Sequence, residues 1–350
     1  MKRAWIPYLC VSAAAGLGLA LSAPAPHFEM TVLLSDGSVA APNIDPNLVN
    51  PWGLAASATG PFWIANEGTG TSSVVRADGS MVIPDVSVPE DQSGHPTGLV
   101  FNGGGGFEVE AGGVSASSLF LFVTLDGRLM GWNPNVSAAN ALVAVDNRGT
   151  GSAYTGAALG TIGGRTFLYV ANFGMGRIDR FDSNFVPAGD FTDPDVPENY
   201  SPFGMANIDG LLYVTFAERD PSTGEDVPGP GKGFIDVFTL DGEFVERFAS
   251  RGELNAPWGL VVAPGGFGRF SNKLLVGNFG DGRILGYNIH NGHFVGALED
   301  EEGEAIVIEG IWGLLFGNGG DGGDPRDLYF TAGIDDETHG IFGEIELEHH

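Results

Sequence analysis

Three asparagines end three apolar, strand-like runs at matching places in the chain, as Ala65-Asn66, Ala171-Asn172 and Gly277-Asn278. In the intervening runs a threonine stands one position earlier, at Thr124, Thr215 and Thr331. Amides and hydroxyls donate and accept hydrogen bonds but offer no useful acid or base near neutrality. A ring of these six would orient a water, a cation or a polar ligand rather than move a proton. The competing reading is that each asparagine closes a turn by bonding its own backbone. A second set, Trp52, Phe203, Trp258 and Trp312 with Thr97 and Thr155, stands just ahead of a recurring glycine. These rings either stack on a ligand or pack between neighbouring elements.

Carboxylates gather in three connections. Residues 217–232 carry Glu218, Asp220, Glu225 and Asp226; Asp335-Asp336-Glu337 precede His339; and Asp193, Asp195 and Glu198 lie together. Oxygen-rich loops suit a hard cation such as calcium, and the metal candidates are Glu218, Asp335, Asp336 and His339, although no stretch has a fixed-spacing metal loop. His95 is directed toward the same face. Against these stands a solvated acidic surface. The chain has no Gly-x-Ser-x-Gly elbow, no His-Glu-x-x-His and no phosphate loop, so those reaction classes lose support.

The elements that must position these residues form a repeat. A short motif ending in glycine and an apolar residue recurs six times, at Asn50-Pro51-Trp52-Gly53, His95-Pro96-Thr97-Gly98, Ala153-Tyr154-Thr155-Gly156, Ser201-Pro202-Phe203-Gly204, Ala256-Pro257-Trp258-Gly259 and Gly310-Ile311-Trp312-Gly313. Successive motif glycines are separated by 45, 58, 48, 55 and 54 positions, the length of a four-stranded blade with variable loops. Each motif is followed by a continuous apolar run such as Leu168-Tyr169-Val170-Ala171, expected where a strand is covered on both faces. The fold class is therefore all-β, a six-bladed β-propeller. The last repeat supplies only three strands, while an unassigned strand over residues 29–34 precedes the first. An open edge is a pairing hazard, so that N-terminal strand is expected to close the ring in the last blade. In each blade both motifs deliver their variable residues to one face of the central channel.

The pattern Pro-x-Gly, apolar strand, Gly-x-Gly-Arg-Ile resembles NHL-type repeats, most fully over residues 256–287. Nearly the whole chain resembles a family of uncharacterised bacterial secreted propellers, some bearing a PEP-CTERM sorting signal. The matching stretches include residues 45–55, 229–238 and 275–284. The resemblance implies six blades and export and carries no assigned chemistry. A more distant likeness to calcium-dependent lactonases is one of fold, which does not transfer function.

The content of 56 glycines and 21 prolines suits many short strands with turns. Lys2 and Arg3, the apolar residues 4–21 and the small residues that follow read as a secretory signal peptide over residues 1–25. Its Cys10 is the chain's one cysteine, so the mature protein can form no disulfide framework. Residues 28–346 are expected to be one propeller domain and residues 347–350 the start of an expression tag. A formal charge of −28, from 44 acidic and 16 basic residues, repels phosphate backbones and excludes nucleic acid as a partner. The expectation is a secreted monomer with no transmembrane span, binding a small polar ligand or an extracellular partner through one face of its channel. The alternative is a calcium-dependent hydrolase or lyase.

Overall fold

Every copy of the glycine motif opens a strand in the computed structural model, which describes residues 26–348. The expected signal peptide, with Cys10, and the final two histidines lie outside the described residues. Blade 1 comprises Pro51–Ala56, Phe62–Asn66, Thr71–Val75 and Met81–Ser87. Blade 2 comprises Pro96–Phe101, Phe120–Thr124, Arg128–Trp132 and Leu142–Asp146, and blade 3 Tyr154–Ile162, Arg165–Asn172, Arg177–Asp182 and Pro187–Phe191. Blade 4 is built from Tyr200–Ile208, Leu211–Glu218, Phe234–Thr239 and Phe244–Ser250, and blade 5 from Pro257–Val262, Lys273–Asn278, Ile284–Asn288 and Phe294–Ala297. Each is an antiparallel four-stranded sheet. The longest spacing between motif glycines has a local cause: an extra hairpin, Glu108–Ala111 with Val114–Ser117, sits between the first two strands of blade 2.

Blade 6 confirms the closure expected from the strand count. Its Ile311–Phe316, Leu328–Ala332 and Ile341–Glu348 are completed by the N-terminal strand His27–Ser35, with Asn43–Ile44 added in parallel at the edge. The closing strand is longer than its apolar core. It pairs from His27 opposite Glu348 to Ser35 opposite Ile341, so Leu347 and Glu348, expected to begin a tag, continue the last strand. Leu347 packs beside the cluster that holds Phe28, Phe267 and Phe270.

The six first-to-second strand pairings share one irregularity. Register shifts where the motif glycine lies, between Pro51 and Leu54, Tyr154 and Gly156, Pro202 and Met205, Pro257 and Leu260, and Ile311 and Leu314, and on the second strand of blade 2 between Phe122 and Thr124. A bulge twists the strand and re-aims side chains. The bulged glycine presses against the next blade. A methyl group on Gly53 would collide with the Thr97 carbonyl, one on Gly204 with that of Trp258, and one on Gly259 with that of Trp312; on Gly313 it would stand 2.7 Å from the Trp52 carbonyl oxygen, across the closure. Between blades lie separate apolar clusters, such as Trp63, Phe120, Phe122 and Trp132 between blades 1 and 2.

Two outcomes test this architecture. Gly204→Ala should cost about 1–3 kcal/mol by forced separation of blades 4 and 5, whereas Gly265→Ala, with open space around its Cα, should be near neutral in the same denaturant titration. Deleting residues 29–34 should expose the edge of blade 6 and cause aggregation on size-exclusion chromatography; an unchanged elution peak and melting point would refute closure as the source of stability.

Candidate functional site

The bulge aims the residue before each motif glycine inward, and four of those residues are large aromatics. Trp52 and Phe279 both stack on Trp312, at ring separations of 3.6 and 4.1 Å, and Trp258 meets Trp312 edge-on at 5.8 Å. Phe203 stands edge-on to both Trp52 and Trp312, and Phe173 lies against it. The Trp258 indole N–H donates to the Thr155 carbonyl at 3.1 Å, joining blade 5 to blade 3 across the axis. The expected aromatics thus meet one another and plug the channel. Below the plug is a small cavity of ≈160 Å³ lined by Trp258 and five of the six motif glycines, with Met205 at the place of the sixth.

Above it is a cavity of ≈450 Å³ to which all six blades contribute. Its floor is Trp52, Phe203, Phe173 and Phe279, with Thr155 and Leu125 beside them. Its wall is acidic, formed by Glu67, Glu225, Asp226 and Glu337. No lysine or arginine is among the described residues that line it.

Asn50 organises this wall. Its amide donates to Glu67 Oε2 at 2.9 Å and to Glu337 Oε1 at 3.2 Å, while its own oxygen accepts the Trp312 indole N–H at 3.0 Å. Glu337 reaches the wall from a single turn, Ile334–Glu337, in which Asp335, Asp336 and Glu337 have φ of 57°, 52° and 64°. Consecutive non-glycine residues in the left-handed region are held only where surroundings over-determine them, and such strain clusters at functional sites. Asp226 comes from the long connection in blade 4, which folds as an extended hairpin: Asp220 N–H donates to Glu225 O, and Val227 N–H to Glu218 O. The same connection is tied to blade 5 where Gly229 N–H donates to Asn255 Oδ1 at 2.6 Å.

Burial, then the like charges of Glu337 and Glu225, push the Asp226 carboxyl up to about 7, and its Oδ2 has no hydrogen-bond partner. Burial also raises Glu337, with Glu67, Glu225 and Asp336 adding to the rise against the Asn50 bond. The Trp52 indole N–H is likewise without a partner in a residue only 5% exposed.

The structure corrects the polar ring. Asn66 donates to Thr71 and Ser73 within blade 1; Asn172 donates to Ser152 and Asp179 and accepts from Ala153 and Met175; Asn278 donates to the Glu253 carbonyl and Asp281. Asn66 is held by the next strand of its blade, Asn172 and Asn278 by the following turn and by the connection that enters their blades, and the three line no common cavity. The hydroxyls serve the bulges instead. Thr215 accepts from Gly204 N–H at 2.8 Å, and Thr331 accepts from Gly313 N–H at 2.9 Å while donating to the Trp52 carbonyl. Thr124 turns to Asp126 and Arg128. A bulge leaves a backbone donor without its ladder partner, and a buried hydroxyl one strand away supplies the acceptor.

The metal candidates are also dispersed. Glu218 pairs with Lys232 at 3.2 Å, His339 with Asp36 at 2.6 Å, and Asp335 and Asp336 are exposed. His95 holds Glu67 Oε1 at 2.8 Å from outside the cavity. Among the described residues no three His, Cys, Asp or Glu side chains are grouped to hold a metal ion. Asp193 is buried in an ion pair with Arg247, which also holds Asp236. Of the residues named from the sequence, Trp52, Thr155 and Phe203 line the main cavity, as do Glu225, Asp226 and Glu337 of the acidic connections; Asn50, Glu67, Phe173 and Phe279 were not singled out. Asn50 opens the first copy of the glycine motif, and Phe173 and Phe279 directly follow Asn172 and Asn278, so all three were visible only by their place in the repeat.

Two uncharacterized proteins of Acanthamoeba polyphaga mimivirus are each 34% identical to this chain, over 91% of it and over 85% and 80% of their own lengths. Neither relative speaks to the bacterial origin or sorting signal that the resemblance implied. No protein-family profile matches the chain. Among solved structures, virginiamycin B lyase from Staphylococcus aureus aligns over 92% of this chain and 100% of its own with a TM-score of 0.52 and 15% identity. The soluble aldose sugar dehydrogenase of Escherichia coli aligns over the same shares with a TM-score of 0.54 and 13% identity. These likenesses establish the propeller fold. Among the described residues no helix is long and apolar enough to cross a membrane.

The crowded carboxylates set a pH dependence. An acid whose pKa is higher folded than unfolded binds more protons in the folded state, so stability falls as pH rises from the ordinary 3.8 of Asp226 toward about 7. Asp226→Asn should therefore raise stability above neutrality, by on the order of 1–2 kcal/mol, and leave it nearly unchanged in acid, as read by denaturant titrations across pH. A uniform offset at every pH would refute the assignment.

Proposed function

The chain belongs to the family of these two mimivirus proteins, and we propose that it is a binding module that takes a small ligand into the aromatic-floored, carboxylate-walled cavity at one mouth of its channel. The observation that carries this reading is the convergence of all six blades on one cavity closed below by stacked rings. A rigid, mostly apolar concavity with a few convergent polar groups is the usual form of a small-molecule site. The basic and then apolar N-terminal stretch supports action outside the cell, and the large negative charge suits a solvated extracellular protein.

One observation favours a hydrolase or lyase. Asp226, pushed up to about 7, is a carboxyl poised to exchange a proton at neutral pH within the same wall. In that reading Asp226 or Glu337 would be the proton-transferring group.

Thr223 lies at the exposed rim of the cavity, so Thr223→Trp fills the mouth without disturbing a blade. A pooled small-molecule library passed over the full chain should yield a retained compound that Thr223→Trp no longer retains. Its recovery unchanged supports binding, and its recovery as a product supports catalysis. Retention unaffected by Thr223→Trp, or no retention at all, would overturn the cavity as the site.

A further inference from the structure

We propose that the hairpin of blade 4, residues 218–228, is a lid on the cavity, closed while Asp226 is protonated and lifted once it ionises. The lid controls access to the cavity, and only that use rests on the binding reading. Three observations converge on it.

The build of the hairpin is the first. Thr223, Gly224, Glu225, Asp226 and Pro228 form one side of the cavity. Among the described residues, the hydrogen bonds made by residues 220–226 end within the hairpin. Asp220 N–H donates to Glu225 O, Gly224 N–H to Asp220 O, Ser222 and Thr223 to Asp220 Oδ1, and Glu225 N–H to Thr223 Oγ1. The ties to the blades stand at its root, where Arg219 N–H donates to Asn199 O, Lys232 pairs with Glu218, and Gly229 N–H donates to Asn255 Oδ1. The tip can therefore rise as a unit without breaking a hydrogen bond to another blade. A few residues at the ends of an element suffice as a hinge, and Gly229-Pro230-Gly231 lie at this root.

Charge is the second. Around Asp226 stand Glu225 on its own hairpin, Glu337 with Asp336 on the turn of blade 6, and Glu67 with its partner His95. The basic residues of the same connection do not compensate it: Lys232 pairs with Glu218, and Arg219 lines a different cleft with Glu198 and Asn199. An ionised Asp226 is repelled by this wall, and a neutral one is not.

The third is independent of charge. Arg219 and Asp226 oppose each other in a β-bridge across the hairpin, and the Nε of one and the Oδ2 of the other are buried without partners. Buried polar groups left unpaired are costly, and lifting the hairpin opens both to water.

The direction with pH follows from the wall. With the Asp226 carboxyl at about 7 when closed and near its ordinary 3.8 when solvated, closure is favoured in acid and loses that preference as pH rises from 3.8 toward about 7.

Pulsed electron resonance between two spin labels tests the proposal without any ligand. One label sits at Thr223→Cys on the hairpin and the other at Glu90→Cys, exposed on the connection from blade 1 to blade 2, in the full chain with its one cysteine removed as Cys10→Ser. From about pH 5 to about pH 8 the ratio of closed to displaced label distances should fall at least about tenfold. Asp226→Asn should hold the closed distance throughout, and Glu337→Gln should keep a larger closed fraction at the upper pH. A distance distribution that ignores pH, or one that shifts equally in Asp226→Asn, would overturn the lid. The library experiment decides the binding reading separately: a compound retained by the native chain and released by Thr223→Trp leaves the binding module standing even where the labels do not move. Labels that move over a cavity retaining nothing refute the binding reading alone.

Discussion

Around the axis of the ring, each inner strand lies so close to the next that only a hydrogen atom fits at the bulged glycine. Methyl groups at Gly98 and Gly156 would stand 2.8 Å from backbone atoms of the following blade, and the other four motif glycines are as close or closer. Most other features of the ring follow from this approach. It draws the six sheets together, it makes the bulge necessary, and it turns the residue before each glycine toward the axis. Because four of those residues are Trp or Phe, the channel is plugged by rings in stacked and edge-on contact. The N-terminal strand then only has to cover the outer edge of the last blade, since the inner contact from Gly313 to Trp52 already joins the ends of the ring.

A sealed axis gives the upper mouth a floor, and the loops supply its charge. The wall departs from what stability alone would favour: carboxylates of like sign face one another, Asp226 has a bare oxygen, and Glu337 is held on three left-handed residues. Such features persist when the rest of the fold is stable enough to carry them, and they are drawn toward function more often than toward packing. The lyase and the sugar dehydrogenase share the ring with this chain, a likeness of fold alone.

Much of the fold was legible because a repeat declares itself through spacing. Six motifs with Gly53, Gly98, Gly156, Gly204, Gly259 and Gly313 at blade-length intervals dictated six sheets, and the surplus strand before the first motif dictated closure. Site residues were legible only by region. The connections around residues 217–232 and 335–339 do face the cavity, yet Glu218 pairs with Lys232 and His339 with Asp36, while their neighbours Asp226 and Glu337 line it. Within a loop the inward residue is selected by backbone angles that no periodicity encodes. Asn66, Asn172 and Asn278 were misread for a related reason: each lies at the right height on its blade, but its amide NH2 donates to the neighbouring strand, turn or connection instead of to the channel.

The sequence by itself determined the number of blades, their order, the closing strand and the net charge, because these depend on periodicity and composition, which are local or additive. Tertiary structure alone decided that the tryptophans meet across the axis, that threonines satisfy the bulged glycines, and that Asn50 bridges two carboxylates 17 and 287 positions away. The tryptophan and Asn50 contacts join residues from different blades and the threonine bonds join neighbouring strands of one blade; which side chains meet is settled only when the ring is shut and each buried polar group must find the partner that remains within reach.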